Sequence, residues 1–266
     1  MAAPETWTWR SASEQRARWA ASMAGALCLA WAGSYVSNRT TWAFVADAGV
    51  QLRDLGSRLF PPDGSYLSAL VQPLIDTLHI ATLGTALGVC LALPLAFLSA
   101  HTTTPSTRVI RPVALFLLVT SRSVNSLIWA LILVVFVGPG VLAGVLAIAL
   151  RSVGFVGKLV YESIEEAPRL PVTALHTTGA SRTQALAFGL LPHVLPTIAG
   201  VIVYRWEINI REATILGIVG AGGLGMALQA SIDALAWSRV SVVLAVILAT
   251  VVLAEWISAR VRGALR

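Results

Sequence analysis

The chain has 266 residues, of which 56% are hydrophobic and 12% are charged, and its mean hydropathy is +0.77. That charged fraction is about half of what an ordinary soluble domain carries. The charges gather at the ends and in short segments between long uncharged runs. The composition therefore indicates a polytopic membrane protein and excludes a soluble enzyme, a disordered chain and a disulfide scaffold.

The net charge of +6 would suggest a nucleic-acid partner in a soluble protein. In a membrane protein, however, Lys and Arg mostly mark the cytoplasmic loops. We therefore interpret the basic residues as a topology signal and expect no nucleic-acid partner.

Membrane helices need about 20 mostly apolar residues, because every backbone polar group must be satisfied inside the segment. Six stretches meet this requirement, so the sequence predicts an all-α protein with six transmembrane helices. The first stretch follows several arginines, as a signal peptide does, but it lacks a convincing cleavage site and is expected to be retained. The predicted spans are Trp19–Val36, Leu67–Ala100, Val109–Val137, Val141–Leu159, Ala185–Trp206 and Val240–Ile257.

Counting Lys and Arg loop by loop favours a topology with both termini in the cytoplasm, because most basic residues then lie inside. Residues 1–66 are expected to comprise an N-terminal cytoplasmic segment, the first transmembrane helix and an external linker. Within that linker, Asp47–Phe60 has the helical spacing of a short surface helix. Residues 67–266 are expected to form the membrane core.

The longest inside loop, at about residues 161–184, lies between the predicted fourth and fifth spans. Pro168 and Pro171 should divide it into two short helices, since proline removes a donor and restrains the residue before it. Gly179 suits a helix end. Considered alone, such a loop is most simply a solvated elbow.

The spacing within this loop resembles the cytoplasmic motif of ABC importer permeases: Glu-Ala-Ala, three residues, Gly, nine residues, Ile, one residue and Leu-Pro. Thr173 stands at the acidic position and Gly189 at the Ile position. Glu165 and Glu166, upstream, are candidates for the missing charge. The positions in register are Ala174, Gly179, Leu191 and Pro192.

Four downstream segments extend this resemblance to the permease subunits of phosphonate-type ABC importers. The glycine-rich segment is shared with methionine-type permeases, so the expected cargo rests on Tyr204–Arg211. The segments are Thr178–Arg182, Leu191–Pro196, Tyr204–Arg211 and Ala213–Gly225.

The resemblance implies a type I ABC importer permease in a bacterial cytoplasmic membrane, built as a homodimer. It also implies two cytosolic ATPase subunits, an external substrate-binding protein, and a phosphonate or related oxyanion such as phosphite or phosphate as cargo. The loop residues that it assigns to ATPase docking are Glu165, Glu166, Thr173, Ala174, Leu175, Gly179, Ala180 and Ser181.

The chain is not expected to hydrolyse ATP itself. Gly154–Lys158 lacks both the spacing and the hydroxyl of a phosphate-binding loop, so ATP and Mg²⁺ should bind to the partner ATPase. We expect no catalytic residues, no metal site and no cofactor in this chain.

Ionisable residues inside a span are functional candidates, because a charge at mid-bilayer costs about 2.5–3.5 kcal/mol on insertion scales. Arginine is also the best bidentate partner for phosphoryl oxygens. The alternative is that such residues form internal pairs between helices, as we favour for Asp76 with His79 and weigh evenly for Arg205 with Glu207 or a neighbour. The candidates for the translocation path are Arg122, Asn125, Arg205, Glu207 and Asn209.

The segment Gly220–Gly225 fits the Gly-x-Gly-x-x-Gly pattern of dinucleotide-binding turns, but an apolar span follows it in place of a βαβ unit. We predict a hairpin at the outer mouth that acts as a gate, with plain helix packing as the alternative. The gate candidates are Gly220, Gly222, Gly223 and Gly225.

Three other functions remain open from the sequence. The chain could be the permease of a methionine-type or other ABC importer, or a secondary transporter or channel that acts alone. An intramembrane enzyme is disfavoured, because the four histidines have no partner at ligand spacing.

Overall fold

The computed structural model describes residues 12–264, and over that range all regular secondary structure is helical. The all-helical, multi-span architecture predicted from the composition is confirmed. The helices are α1 (Ala12–Arg39), α2 (Trp42–Ala46), α3 (Ala48–Leu59), a 3₁₀ helix (Gly64–Leu70), α4 (Val71–Ser99), α5 (Ile110–Ser123), α6 (Ser126–Val137), α7 (Val141–Glu166), α8 (Leu170–Thr177), α9 (Arg182–Ala185), a π-helical segment (Leu186–Leu190), α10 (Leu191–Ile218), α11 (Leu224–Asp233) and α12 (Trp237–Ala264).

The chain forms two compact units, Met1–Ser57 and Arg58–Arg266. In the first unit, α1 is long and apolar enough to cross a membrane, and none of the side chains described there is buried. The short helix predicted over Asp47–Phe60 is observed as α3, which begins at Ala48 and ends at Leu59. Its place on the outer surface of a membrane stays a prediction.

Five helical segments of the described chain can span a membrane, or six if the bent pair α5–α6 counts as one. The sequence predicted a single continuous span over Val109–Val137, but α5 and α6 meet at an angle of 89°. Val124 and Asn125 are extended, and the Asn125 side chain accepts the backbone N–H of Leu127. A polar N-cap residue inside an apolar run therefore starts a new helix there.

Helix α7 lies at the centre of the second unit and packs closely against α4. A Cβ atom on Gly84 would come within 2.7 Å of the Ile148 side chain, and one on Gly88 within 2.6 Å of the Ser152 side chain. Small residues at such positions let two membrane helices approach each other closely. The buried residues Ile80, Ala81 and Ile148 belong to the apolar cluster at this contact.

Helix α10 continues well beyond the expected end of the fifth span at Trp206 and stops at Ile218. The polar segment Arg205–Glu212 therefore lies within the helix, whereas the sequence placed it at the outer end. The helix tolerates these polar residues because α4, α7 and α12 supply hydrogen-bonding partners for them.

Candidate functional site

The predicted loop at about residues 161–184, which we call the cytoplasmic-motif segment, folds as its two prolines predict. Helix α7 ends at Glu166, and α8 begins at Leu170 with Pro171 in its first turn, where proline costs no helical hydrogen bond. Gly179, with φ of +85°, ends this helix in the left-handed conformation that favours glycine. Ser181 then opens α9 with a capping box.

Helix α8 rests against the π-helical segment that leads into α10. A Cβ atom on Gly189 would lie 3.1 Å from the backbone of Val172 and 3.1 Å from Cδ1 of Leu175. The residue that departs from the motif's Ile is therefore a point of close approach between the short helix and the segment that leads into α10. A branched side chain there would separate the two elements.

Some residues predicted to dock the ATPase are exposed, and others are partly buried or held by contacts inside the subunit. The Glu165 carboxylate accepts the backbone N–H of His101 at 2.7 Å and pairs with Arg111 at 3.3 Å, so it is held inside the subunit. Leu175 and Ala180 are half-buried. The exposed members are Glu166, Thr173, Ala174, Gly179 and Ser181.

A second tie joins this region to the connection between α4 and α5. Arg182 donates hydrogen bonds to the carbonyls of Thr103 and Thr104, at 3.3 Å and 3.1 Å. Together with the Glu165 contacts, these bonds tie the end of α7 and the start of α9, the two elements that flank α8, to the connection between α4 and α5. A force on α8 would therefore pass to the helices that cross the membrane.

The break between α5 and α6 brings together polar side chains from α5, α7 and α10 with the N-cap residue of α6, a group that we call the arginine cluster. Arg151, on α7, donates to the Asn125 side chain at 3.1 Å and lies 3.6 Å from the Glu212 carboxylate. Arg205, on α10, donates to both oxygens of the same carboxylate at 3.4 Å. The cluster comprises Arg122, Asn125, Arg151, Arg205 and Glu212.

Arg205 is the most enclosed member of the cluster, with 1% of its surface exposed. Its Nε donates to the Ser152 hydroxyl at 3.0 Å, and its guanidinium lies 4.9 Å from the centre of the Phe155 ring. The internal partner of Arg205 is therefore Glu212, and Glu207 belongs to another group.

A cavity of about 320 Å³ adjoins the cluster and is lined by Arg122 and Arg151 together with Val119, Ser123 and Phe155. Arg122 is exposed, and no carboxylate of the described chain lies within ion-pair distance of it. The cluster thus holds three arginines and one glutamate, which leaves two positive charges uncompensated.

The two remaining path candidates lie deeper on α10. Asn209 is fully buried and donates to Thr85 at 2.7 Å and to Ser152 at 3.1 Å, while its Oδ1 has no partner among the described residues. Glu207 accepts hydrogen bonds from Arg211 at 2.9 Å and from Arg262 at 3.0 Å. Glu207 thus joins α10 to α12.

Sequence reasoning used Arg151 only as a marker of orientation and missed its place in the cluster. Its position inside a predicted span was the available signal, because an arginine there needs a partner or a water-filled cavity.

The pair expected between Asp76 and His79 is replaced by a contact within α4, in which Gln72 donates to Asp76 at 2.9 Å.

The glycine segment forms a tight, mostly buried turn between α10 and α11. Gly220, Gly222 and Gly223 have φ of +90°, +89° and +75°, so other residues would be strained there. The Thr77 hydroxyl accepts the N–H of Leu224 at 2.8 Å. These contacts are those of close packing, and the gate remains a prediction.

Gly225, the last gate candidate, packs inside the subunit. A Cβ atom there would come within 2.0 Å of the Thr214 carbonyl oxygen. The residues described by the structure include no group of three or more His, Cys, Asp or Glu side chains that could hold a metal ion.

Several relatives match this chain over most of its length. The phosphite transport system permease protein PtxC of Stutzerimonas stutzeri is 43% identical over 208 residues, which cover 78% of this chain and 75% of that protein. The phosphate-import permease protein PhnE of Mycolicibacterium smegmatis is 34% identical over 233 residues, which cover 88% of this chain and 43% of that protein.

Two solved structures share the fold at low sequence identity. The MetNI methionine ABC transporter, in an inward-facing conformation, matches with a TM-score of 0.67 at 20% identity, covering 77% of this chain and 99% of that one. An amino acid ABC transporter crystallised with histidines matches with a TM-score of 0.65 at 18% identity, covering 75% and 95%.

The family model described as binding-protein-dependent transport system inner membrane component matches residues 92–263. That range holds the arginine cluster, the cytoplasmic-motif segment and the glycine turn. The chain is a multi-pass membrane protein that belongs to this family of ABC importer permeases.

Proposed function

We propose that this chain is the membrane-spanning subunit of an ABC importer that carries a phosphorus oxyanion, such as phosphite, phosphate or a phosphonate, into the cytoplasm. The observation that carries the cargo class is the arginine cluster, with three arginines and one glutamate beside an open cavity. The uncompensated charge lowers the barrier for an anion in a low-dielectric path. The names of the relatives point to the same class of cargo.

Transport is driven by a separate ATPase that binds α8. The outer surface of this short helix is exposed, and its inner side rests on the base of α10 at Gly189. An ATPase that closes on nucleotide would therefore tilt α10 directly. The ATP and Mg²⁺ bind to that partner, and this chain contributes no catalytic residue.

The working assembly contains two copies of this chain, two ATPase subunits and an external substrate-binding protein. It lies in a bacterial cytoplasmic membrane with both termini of the chain in the cytoplasm. Selection of the cargo falls mainly to the binding protein, while the permease supplies a path with suitable charge.

The test is uptake into proteoliposomes that contain the complete importer. Labelled phosphite, phosphate and methylphosphonate are offered separately, with ATP supplied on the ATPase side. We expect ATP-dependent uptake of at least one of them, and none when the ATPase is omitted. Uptake that persists without the ATPase would instead identify a transporter that acts alone, and uptake of methionine in their place would reassign the cargo.

A further inference from the structure

The cavity beside the arginine cluster has a charged wall built from two different helices. Arg122 reaches it from the last turn of α5, and Arg151 reaches it from the middle of α7. Its volume is about 320 Å³. Because a water molecule occupies about 30 Å³ in the liquid, the cavity has room for a small tetrahedral anion together with several waters.

Among the residues described, carboxylates compensate the two arginine charges on this wall only weakly. The Glu212 carboxylate binds both terminal nitrogens of Arg205, and its distance of 3.6 Å to Arg151 leaves only a long ion pair there. The other contacts of Arg151 are neutral, to Asn125 and Ser126. Arg122 has no carboxylate within reach among the residues described, so an anion entering the cavity would meet two weakly compensated guanidinium groups.

Arg205, by contrast, does not line the cavity. Phe155 forms part of the cavity wall, and the guanidinium of Arg205 lies over its ring. Arg205 therefore holds Phe155 and Glu212 in place and is a positioning residue. The groups available to a solute are Arg122 and Arg151.

We propose that Arg122 and Arg151 form an oxyanion subsite inside the permease, which holds the phosphorus oxyanion while it crosses; this assignment rests on the proposed import function. Guanidinium groups match phosphoryl oxygens because each presents two parallel N–H donors. Glu212, which does not line the cavity, lies 3.6 Å from Arg151 and competes with the anion for it, which keeps the binding weak enough for release.

The subsite is tested with the complete importer in proteoliposomes, using labelled phosphate and labelled phosphite as the transported probes. Arg122→Gln and Arg151→Gln should each lower the maximal uptake rate by about tenfold or more, because each removes charged hydrogen bonds to the anion in transit. The double variant should fall further. The affinity of the external binding protein for the probe should stay the same.

Lys158→Gln is the matched control, because it removes the same charge from α7 at a residue that pairs with Glu162 and lies outside the cavity. We expect wild-type uptake for it. Arg151→Lys should restore part of the rate that Arg151→Gln loses. Thermal unfolding of each purified complex provides the folding check. Arg122→Gln should pass it because Arg122 is exposed and has no carboxylate partner between residues 12 and 264, the part of the chain that the structure describes.

Equilibrium binding provides a second readout that does not require transport. The purified permease–ATPase complex, without the binding protein, should bind labelled phosphate saturably and less tightly as salt rises, and the double variant should lose this binding. A double variant that imports phosphate at the wild-type rate would overturn the subsite while leaving the import function intact. A wild-type importer that takes up no phosphorus oxyanion would overturn the proposed function itself.

Discussion

The hydroxyl of Ser121 accepts the backbone N–H of Gly154 at 2.9 Å, and it donates to the carbonyl of Leu150. Leu150 and Gly154 are four residues apart on α7, so the hydroxyl stands between two groups that pair with each other in an unbroken helix. A side chain inserted in this way is a known cause of local helix bending. The insertion lies next to Arg122 on α5 and next to Arg151 on α7.

Replacing Ser121 with alanine should therefore remove a contact that fixes α5 against α7. Leu150 and Gly154 can then bond to each other, so the free energy of unfolding should change by only about 1 kcal/mol. Uptake should fall by more than the amount of folded importer, because Arg122 loses its fixed position. Ser163→Ala, on α7, is the control, since that hydroxyl donates to the Leu159 carbonyl within its own helix and does not line the cavity. Wild-type uptake in Ser121→Ala would show that the inserted hydroxyl has no part in transport.

At Gly154 the backbones of α5 and α7 also approach each other closely. A Cβ atom on Gly154 would lie 2.4 Å from the Leu118 carbonyl oxygen and 2.7 Å from the Arg122 amide nitrogen, and backbone atoms cannot move aside cheaply. Gly154→Ala should therefore destabilise the permease by about 1–3 kcal/mol, the usual cost of overpacking.

The comparison for Gly154→Ala is Gly200→Ala, on α10, where a Cβ atom would meet no other atom within 4 Å. Alanine is the better helix former, so this variant should be as stable as the wild type or slightly more stable. Thermal unfolding of the purified complexes distinguishes the two variants. Equal melting temperatures would show that α5 and α7 accommodate the added methyl group without loss of stability.

The sequence predicted the fold class and the short helices α8 and α9, because both follow from local signals. Long apolar runs predict spans, and Pro168 and Pro171 predict the helix boundaries around α8. The break at Asn125 was missed because hydropathy averaged over a span hides one capping residue. That residue changes the geometry of the whole segment from one span to two helices at 89°.

The arginine cluster could be predicted only in part, because its pairing depends on which helices are neighbours. Arg122 and Asn125 were identified as intramembrane polar residues. Arg151 gained its role only once α7 was seen beside α6 and α10. The partner of Arg205 is Glu212, seven residues or about two turns away on the same face of α10, whereas Glu207, two residues away, points elsewhere. This spacing becomes informative only because α10 continues past Trp206, where the sequence ended the span.

Gly189 should control the coupling between the ATPase and α10. In Gly189→Ile, a branched side chain would meet the Val172 backbone at about the 3.1 Å found for a Cβ atom, so α8 must move away from the base of α10. We expect the complex to assemble and hydrolyse ATP, while uptake per ATP hydrolysed falls several-fold. Ala187→Ser, at an exposed position in the same segment, should leave the ratio unchanged. An unaltered ratio in Gly189→Ile would show that close seating of α8 is not required.

Arg205 and Glu212 should act as one unit in stability. Arg205→Met leaves Glu212 with only the long contact to Arg151, while Glu212→Gln leaves a buried guanidinium without a carboxylate. Each single variant should lose about 3–5 kcal/mol, the usual cost of leaving a buried charge unpaired. The double variant should lose less than the two single losses added together, because neither charge then remains alone.

Thermal or denaturant unfolding measures the stability of the wild-type complex, the two single variants and the Arg205–Glu212 double variant. Arg211→Gln is the control, because Glu207 keeps Arg262 as a partner when Arg211 is removed and the loss should stay near 1 kcal/mol or below. Strictly additive losses would show that the two side chains do not stabilise each other.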